Sequence, residues 1–246
     1  MSNAADARQV MVLAPMPLEM QAIVTAFGLA KAGEGKGAPW TGRVGNSEVT
    51  AVHIGMGPTL TREAITRVLD PKSSAHRRVD HLMVAGICGG LDPEVPVGTL
   101  INPELLVLHT TGATYRHRPP GDAPTAGKLI TTEGVSLDPD LTGKFFADGF
   151  TAVDMESAAV AEVCEAYRCP WSVYRCISDR PFDGLLDDRL VAMTNPDGSG
   201  DRTQLARLLA EDPSLAGKLE QLTRDTTNGA RLAAEAAVRG CLALDG

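Results

Sequence analysis

The sequence predicts an α/β fold with a mixed central sheet. Short apolar runs at residues 10–14, 81–87 and 171–177 have the length of buried strands, and segments with apolar residues at helical spacing lie between them. Glycine or proline follows several of these runs, as expected where a strand passes into a helix. Because 246 residues with 43% hydrophobic content are enough for one sizeable core, we expect a single domain over 1–246.

The first half of the chain alternates between strand and helix. Pro17 suits the first turn of a helix, and Met20, Ile23 and Phe27 follow it on one helical face. The predicted elements are a strand over 10–14, a helix from residue 17, a hairpin of 42–44 and 49–54, a helix over 58–69 and a strand over 81–87. The glycine-rich run 86–90 then allows a backbone to approach a ligand closely.

The second half continues the alternation and ends in helices. Its predicted elements are strands over 98–101, 105–108, 128–132, 151–153 and 171–177, and helices over 137–147, 154–167, 203–209 and 215–244. A loop over 178–181 is predicted at the end of the last strand. Glycines 217, 229 and 240 weigh against one unbroken terminal helix. Residues 115–118 fit an exposed turn or a loop that closes over substrate.

Composition excludes several classes of function. With 23 basic and 31 acidic residues, the net charge of -8 opposes the capture of phosphate backbones, so we expect no nucleic-acid partner. The five cysteines contain no CxxC pair, and the histidines lack ligand spacing, so no metal and no cofactor is predicted. The apolar stretch Val10–Met16 is too short for a membrane span or a signal peptide, which predicts a cytoplasmic protein without a membrane partner.

Three acidic residues fall at or near predicted strand ends. Glu19 follows the first strand, Glu156 lies where a strand passes into a helix, and Asp179 follows the last strand. Ligands of α/β proteins gather at such ends, which gives these acids a candidate catalytic role. Acids in a first helical turn or a cap are also ordinary structural features, and spacing alone favours that interpretation.

Longer motifs around these acids resemble a known family. The segments 153–159, 170–171 and 175–179 resemble the C-terminal motif of methylthioadenosine/S-adenosylhomocysteine nucleosidases, within the nucleoside phosphorylase and nucleosidase superfamily. Residues 14–20 resemble the first strand and catalytic acid of that family, and 84–91 resemble its ribose-side glycine loop. The similarity in order and interval extends over roughly residues 10 to 185.

The resemblance implies a three-layer α/β/α sandwich with a mixed, partly barrel-like central sheet, and a small-molecule nucleoside as partner. Glu19 would activate the attacking water, and Asp179 would help to protonate the departing base at N7. The expected substrate-binding residues are Met155, Glu156, Gly86, Ile87, Ser178 and Val135. Glu156 would hold the ribose hydroxyls beside Met155, and Val135 takes the position where the family stacks an aromatic residue on the base. A homodimer or higher homo-oligomer is also implied.

The nucleophile is predicted to be water. Where the bacterial phosphorylases carry Arg after Pro-Leu, this chain has Glu19, and Ile87 replaces the Ser or Thr of their glycine loop. We therefore expect hydrolysis of a purine nucleoside, with adenine as the base, such as methylthioadenosine or S-adenosylhomocysteine. The tail after Asp183 loosely resembles phosphorylase-like proteins associated with hopanoid biosynthesis, so phosphorolysis of an adenosylated lipid nucleoside is one alternative. Nucleoside binding without turnover is the other.

Overall fold

The structure is a computed structural model that describes residues 7–35, 38–121, 125–135 and 137–245. The strands within these residues are β1 (Arg8–Ala14), β2 (Ala30–Lys31), β3 (Trp40–Val44), β4 (Ser47–His53), β5 (His81–Gly90), β6 (Leu100–Ile101), β7 (Leu105–Leu108), β8 (Thr114–Arg116), β9 (Lys128–Thr131), β10 (Ala152–Asp154) and β11 (Trp171–Asp179). The helices are α1 (Pro17–Phe27), α2 (Pro58–Leu69), α3 (Pro139–Ala147), α4 (Ser157–Tyr167), α5 (Asp188–Ala192), α6 (Arg202–Glu211) and α7 (Leu215–Ala243).

The described strands form one mixed sheet. Its main path runs β2-β3-β4-β1-β5-β10-β9-β7-β8, and β11 pairs with β5 and β6. The long strand β5 is parallel to β1 and β11 and, at Gly89 and Gly90, antiparallel to β10. This branching places the carboxyl ends of β1, β5, β10 and β11 close together. Ligand sites of α/β proteins form at such an edge.

Helices cover both faces of the sheet, so the predicted three-layer α/β/α architecture is confirmed. On β1, Met11 and Leu13 enter the core that includes residues of α2 and α4. Val10 and Val12 enter the opposite core, which includes residues of α1 and α7. This alternation follows from the two-residue period of a strand, and it buries both faces of β1.

Several details differ from the prediction, among them helix α5 and the short strand β2, which the sequence did not predict. Ser178 and Asp179 belong to β11, which carries a register shift beside β5, so the predicted loop at these residues is wrong. Helix α4 begins at Ser157 and not at residue 154, because Asp154 still pairs with Thr131 of β9. The run 115–118 is neither an exposed turn nor a lid. Its first residues form β8, and His117 is buried and stacked on Trp171.

Helix α7 is unbroken in spite of its three glycines. Gly229 leaves room for Ile87, whose Cγ2 would lie 3.2 Å from a Cβ at that position. Gly240 leaves room for the ring of Tyr174, whose Cζ would lie 2.5 Å from an added Cβ. Close packing on the sheet therefore offsets the low helix propensity of glycine. None of the helices in the described ranges is long and apolar enough to cross a membrane.

Candidate active site

Glu19 is a buried carboxylate held by two backbone amides. It lies in the first turn of α1 and is 1% exposed. Its Oε2 accepts a hydrogen bond from the Met16 amide (2.8 Å), and its Oε1 accepts one from the Ile87 amide (2.8 Å). Gly86 has no side chain where Glu19 passes, and an added Cβ there would lie 2.5 Å from Glu19 Cδ. The glycine-rich end of β5 thus fixes the position of this carboxylate.

Glu156 comes from the junction between β10 and α4 and is 5% exposed. Its Oε1 accepts a hydrogen bond from the Gly57 amide (2.8 Å), and its Oε2 accepts one from Arg175 Nη2 (2.9 Å). Gly57 precedes α2, so the N-terminal ends of two helices meet at this side chain. The half-buried Met155 lies nearby, with its Cε 3.8 Å from the Cβ position of Gly57.

Arg175 joins these carboxylates and is fully buried on β11. Its Nη2 lies 2.8 Å from Asp154 Oδ2 and 2.9 Å from Glu156 Oε2, and its Nη1 lies 3.6 Å from Glu19 Oε1. Nη1 also donates to the Ile87 carbonyl (3.3 Å). Three carboxylates therefore surround a single guanidinium, and the cluster carries excess negative charge when all its members are ionised.

Asp179 lies four residues beyond Arg175 on β11, which corresponds to roughly 10 to 13 Å along the strand. It is opposite Gly89 of β5, and its Oδ1 accepts a hydrogen bond of 2.5 Å from Ser178. Ser178 also lies 3.4 Å from the Cys88 carbonyl. Strand β11 thus carries Arg175, with its three carboxylates, at one position and the separate carboxyl group of Asp179 near its end.

Burial changes the pKa of all three predicted acids. Loss of hydration raises the pKa of Glu19 to about 6 although Arg175 opposes it, and raises the pKa of Glu156 to about 7. Burial likewise raises the pKa of Asp179 to about 6, and the hydrogen bond from Ser178 opposes that rise. Carboxyl groups that exchange protons near neutral pH are able to act as general acids and bases.

The structure brings most of the predicted substrate-binding residues to this edge. Gly86, Ile87, Met155 and Ser178 all lie beside the three acids. Ile87 faces Glu19 through its backbone, while its side chain packs against Gly229 of α7. Val135 is 49% exposed in the loop that follows β9, and its contact with a base stays a prediction.

Sequence reasoning missed Arg175, Asp154 and Gly57. The signal for Arg175 was present, because a charged residue inside an apolar strand has to be paired with an opposite charge. Asp154 lies two residues before Glu156 in the same motif, which was the signal for this second acid. Gly57 contributes only a backbone amide, and a sequence pattern does not identify such a donor.

The chain matches one family model over more than half of its length. The family model described as the phosphorylase superfamily matches residues 9–147, which include most of β1, all of β2 to β9, and Glu19. The chain belongs to the phosphorylase superfamily. Within this superfamily, the chain is 25% identical over 170 residues to the 5'-methylthioadenosine/S-adenosylhomocysteine nucleosidase of Tolumonas auensis, a match that covers 57% of this chain and 72% of that relative.

Solved nucleosidase and hydrolase structures share this fold at low identity. The methylthioadenosine/S-adenosylhomocysteine nucleosidase of Helicobacter pylori, solved as a mutant with 5'-methylthioadenosine in the active site, superposes with a TM-score of 0.69 at 16% identity and covers 96% of this chain and 98% of its own. The futalosine hydrolase of the same organism gives 0.67 at 14% identity, with 97% and 98% covered. The likeness shows that the chain shares their fold.

Proposed function

We propose that this member of the phosphorylase superfamily hydrolyses the N-glycosidic bond of a purine nucleoside, with adenine as the expected base. The observation that carries the proposal is the buried cluster in which Glu19 and Glu156 share one guanidinium, Arg175, with Asp154. Glycosidic cleavage develops positive charge on the ribose. A buried cluster with excess negative charge stabilises that charge more in the transition state than in the ground state.

The same charge balance favours water over phosphate as the nucleophile. A phosphate dianion needs free cationic donors, which are best supplied by an arginine with unoccupied N–H groups. Arg175 is the cation whose charge acts on Glu19 and Glu156, and its guanidinium already contacts carboxylates and the Ile87 carbonyl. Ile87 offers no hydroxyl group. A second anion at this place would meet repulsion from the carboxylates.

Glu19 is the proposed general base. In the reaction, a water oxygen bonds to C1' of the ribose, the bond from C1' to N9 of the purine breaks, and a water proton passes to Glu19. A pKa of about 6 leaves this carboxylate mostly ionised at pH 7, ready to accept that proton. The Met16 and Ile87 amides hold its two oxygens in a defined direction.

Asp179 is the proposed general acid. The departing purine carries the electron pair of the broken bond and needs a proton at N7. An ordinary Asp is almost fully ionised at neutral pH, but burial raises the pKa of Asp179 to about 6 and keeps a fraction of it protonated. Ser178 donates to one carboxyl oxygen and leaves the other to face the base.

Glu156 is the proposed ligand of the ribose hydroxyls, beside Met155. Its anchoring by the Gly57 amide and by Arg175 gives it a fixed orientation. Similar enzymes are named for methylthioadenosine, S-adenosylhomocysteine and futalosine, so these compounds define the 5' substituents to be tested. A single domain, a homo-oligomer and a cytoplasmic location also stay predictions.

A panel of nucleosides tests the proposal. The purified protein is incubated with methylthioadenosine, S-adenosylhomocysteine, adenosine, inosine and uridine, with and without phosphate, and the released base is followed by chromatography. We expect release of adenine without phosphate, together with free 5'-modified ribose, and no reaction of uridine, which lacks N7. The Glu19→Gln variant is the matched control for contaminating activity.

Two other results would overturn parts of the proposal. A sugar 1-phosphate as the main product would replace hydrolysis by phosphorolysis and would favour the lipid-nucleoside alternative. Binding of nucleosides without release of any base would make the chain a nucleoside-binding protein. Release of hypoxanthine in preference to adenine would change only the choice of purine.

A further inference from the structure

Asp154 is a buried carboxylate whose two oxygens are both bonded to protein groups. Its Oδ1 accepts hydrogen bonds from Thr131 Oγ1 (2.7 Å) and from the Ser157 amide (3.3 Å). Its Oδ2 accepts hydrogen bonds from the Ser157 amide (3.0 Å) and hydroxyl (2.5 Å), and Arg175 Nη2 lies 2.8 Å from it. The side chain is 2% exposed. A carboxylate offers about four acceptor sites, and these contacts fill those of Asp154, whereas Glu156 two residues later accepts only the hydrogen bonds from Gly57 and Arg175.

The same contacts connect three elements of the site. The pairing of Asp154 with Thr131 fixes the end of β10 against β9. The hydrogen bonds to Ser157 fix the start of α4, where the Glu156 side chain leaves the backbone. Arg175 brings in β11, and its Nε donates to the Ser157 hydroxyl (3.1 Å). A shift of Asp154 would therefore move the guanidinium and the ribose-side carboxylate together.

The charges around Arg175 give this arrangement a chemical consequence. Four ionisable groups interact electrostatically with Arg175. Asp154 lies on β10, Glu156 at the junction of β10 with α4, Glu19 on α1 and Cys88 on β5. Asp154 and Arg175 form a close pair of opposite charge at 2.8 Å. The negative charge of Glu19 and Glu156 is then left without a full counter-ion inside the protein.

We propose that Asp154 is a positioning residue of the reaction, which neutralises Arg175 so that the charge of Glu19 and Glu156 remains available to the positively charged ribosyl group. The proposal rests on the proposed function. Asp154 acts through Arg175, since protein groups already fill the acceptor sites of its carboxylate.

Removal of the Asp154 charge has a predictable effect on its neighbours. The carboxylate of Asp154 contributes to the raised pKa of both Glu19 and Glu156, whereas Arg175 lowers the pKa of each. Without Asp154, Arg175 pairs more fully with Glu156 and Glu19. The pKa of both glutamates then falls. The guanidinium neutralises more of their negative charge, so less of it stabilises the ribosyl cation.

The test compares the wild-type enzyme with Asp154→Asn, because Asn keeps a hydrogen-bonding cap for α4 without the charge. In the wild type, kcat/KM falls at low pH as Glu19 and Glu156 become protonated. In Asp154→Asn, we expect this acid limb to move down by at least about half a pH unit and kcat to fall by about tenfold or more. KM should change less than kcat. The matched control is Asp140→Asn, which removes an exposed charge on α3.

A charge-balanced variant separates the effect of charge from the effect of lost contacts. Asp154→Asn/Arg175→Gln removes one charge of each sign, so we expect its acid limb to return toward the wild-type position. Carbon-13 NMR of labelled glutamate carboxyl groups measures the same pKa changes without turnover. If the acid limb and the NMR titrations of Glu19 and Glu156 stay unchanged in Asp154→Asn, the proposal is wrong. A wild-type enzyme inactive on all nucleosides would contradict the proposed function, while the NMR titration would still decide the role of Asp154.

Discussion

Gly86→Ala is the substitution whose effect follows most directly from the structure. The new Cβ would lie 2.5 Å from Glu19 Cδ and 2.7 Å from Arg175 Nη1. Non-bonded carbon atoms normally approach to about 3.5–4.0 Å, so the Glu19 carboxylate would have to move by about 1 Å. Both neighbours are buried and hydrogen-bonded, so neither has free space to accept the shift.

Two effects of different kind are expected from Gly86→Ala. Overpacking of a buried site costs about 1–3 kcal/mol of the free energy of unfolding. Displacement of a catalytic group by about 1 Å costs about a hundredfold in turnover. We therefore expect a folded but less stable protein with kcat reduced by about that factor. Urea titration measures the first effect, and release of adenine from methylthioadenosine at saturating concentration measures the second.

Two further variants separate local overlap from a general glycine effect. Gly143→Ala places a methyl group on α3 where no atom lies within 4 Å, and we expect it to stabilise by about 0.5–1 kcal/mol with normal turnover. In Gly86→Ala/Glu19→Ala, the overlapping carboxylate is absent, so much of the lost stability should return although activity does not. Turnover of Gly86→Ala within threefold of wild type would refute the assigned position of Glu19.

The remaining predictions concern the three acids. Glu19→Gln and Asp179→Asn should each lower turnover by at least about a hundredfold without a large loss of stability, and near-normal turnover in either would remove its assigned role. Glu156→Gln should weaken nucleoside binding as well as turnover, and it should reduce the preference for a ribonucleoside over its 2'-deoxy analogue, which competition binding measures. Since the pKa values of Glu19 and Glu156 are about 6 and about 7 when folded, above their ordinary 4.5, the folded state binds more protons between pH 4.5 and 7. Stability should therefore fall as pH rises through this window, and thermal unfolding of Glu19→Gln should show a weaker dependence on pH.

The sequence by itself determined the alternation of strands and helices, and it indicated three acids as candidates for the site. Apolar runs with a two-residue or continuous pattern mark β1, β5 and β11, because burial on both faces requires it. The motifs around Glu19, Glu156 and Asp179 extend over enough residues to indicate the family. Local chemistry also decides where α1 and α2 begin, since both have proline in the first turn.

The tertiary structure decided the pKa values of those acids and the groups that surround them. Arg175, Asp154, Glu19 and Gly57 come from separate elements, so their convergence depends on strand order and not on any local pattern. Spacing along the chain also does not give the pKa of an acid, because desolvation depends on the layers packed above and below it. The continuity of α7 has the same origin. Its glycines oppose a helix locally, and close packing on the sheet reverses that preference.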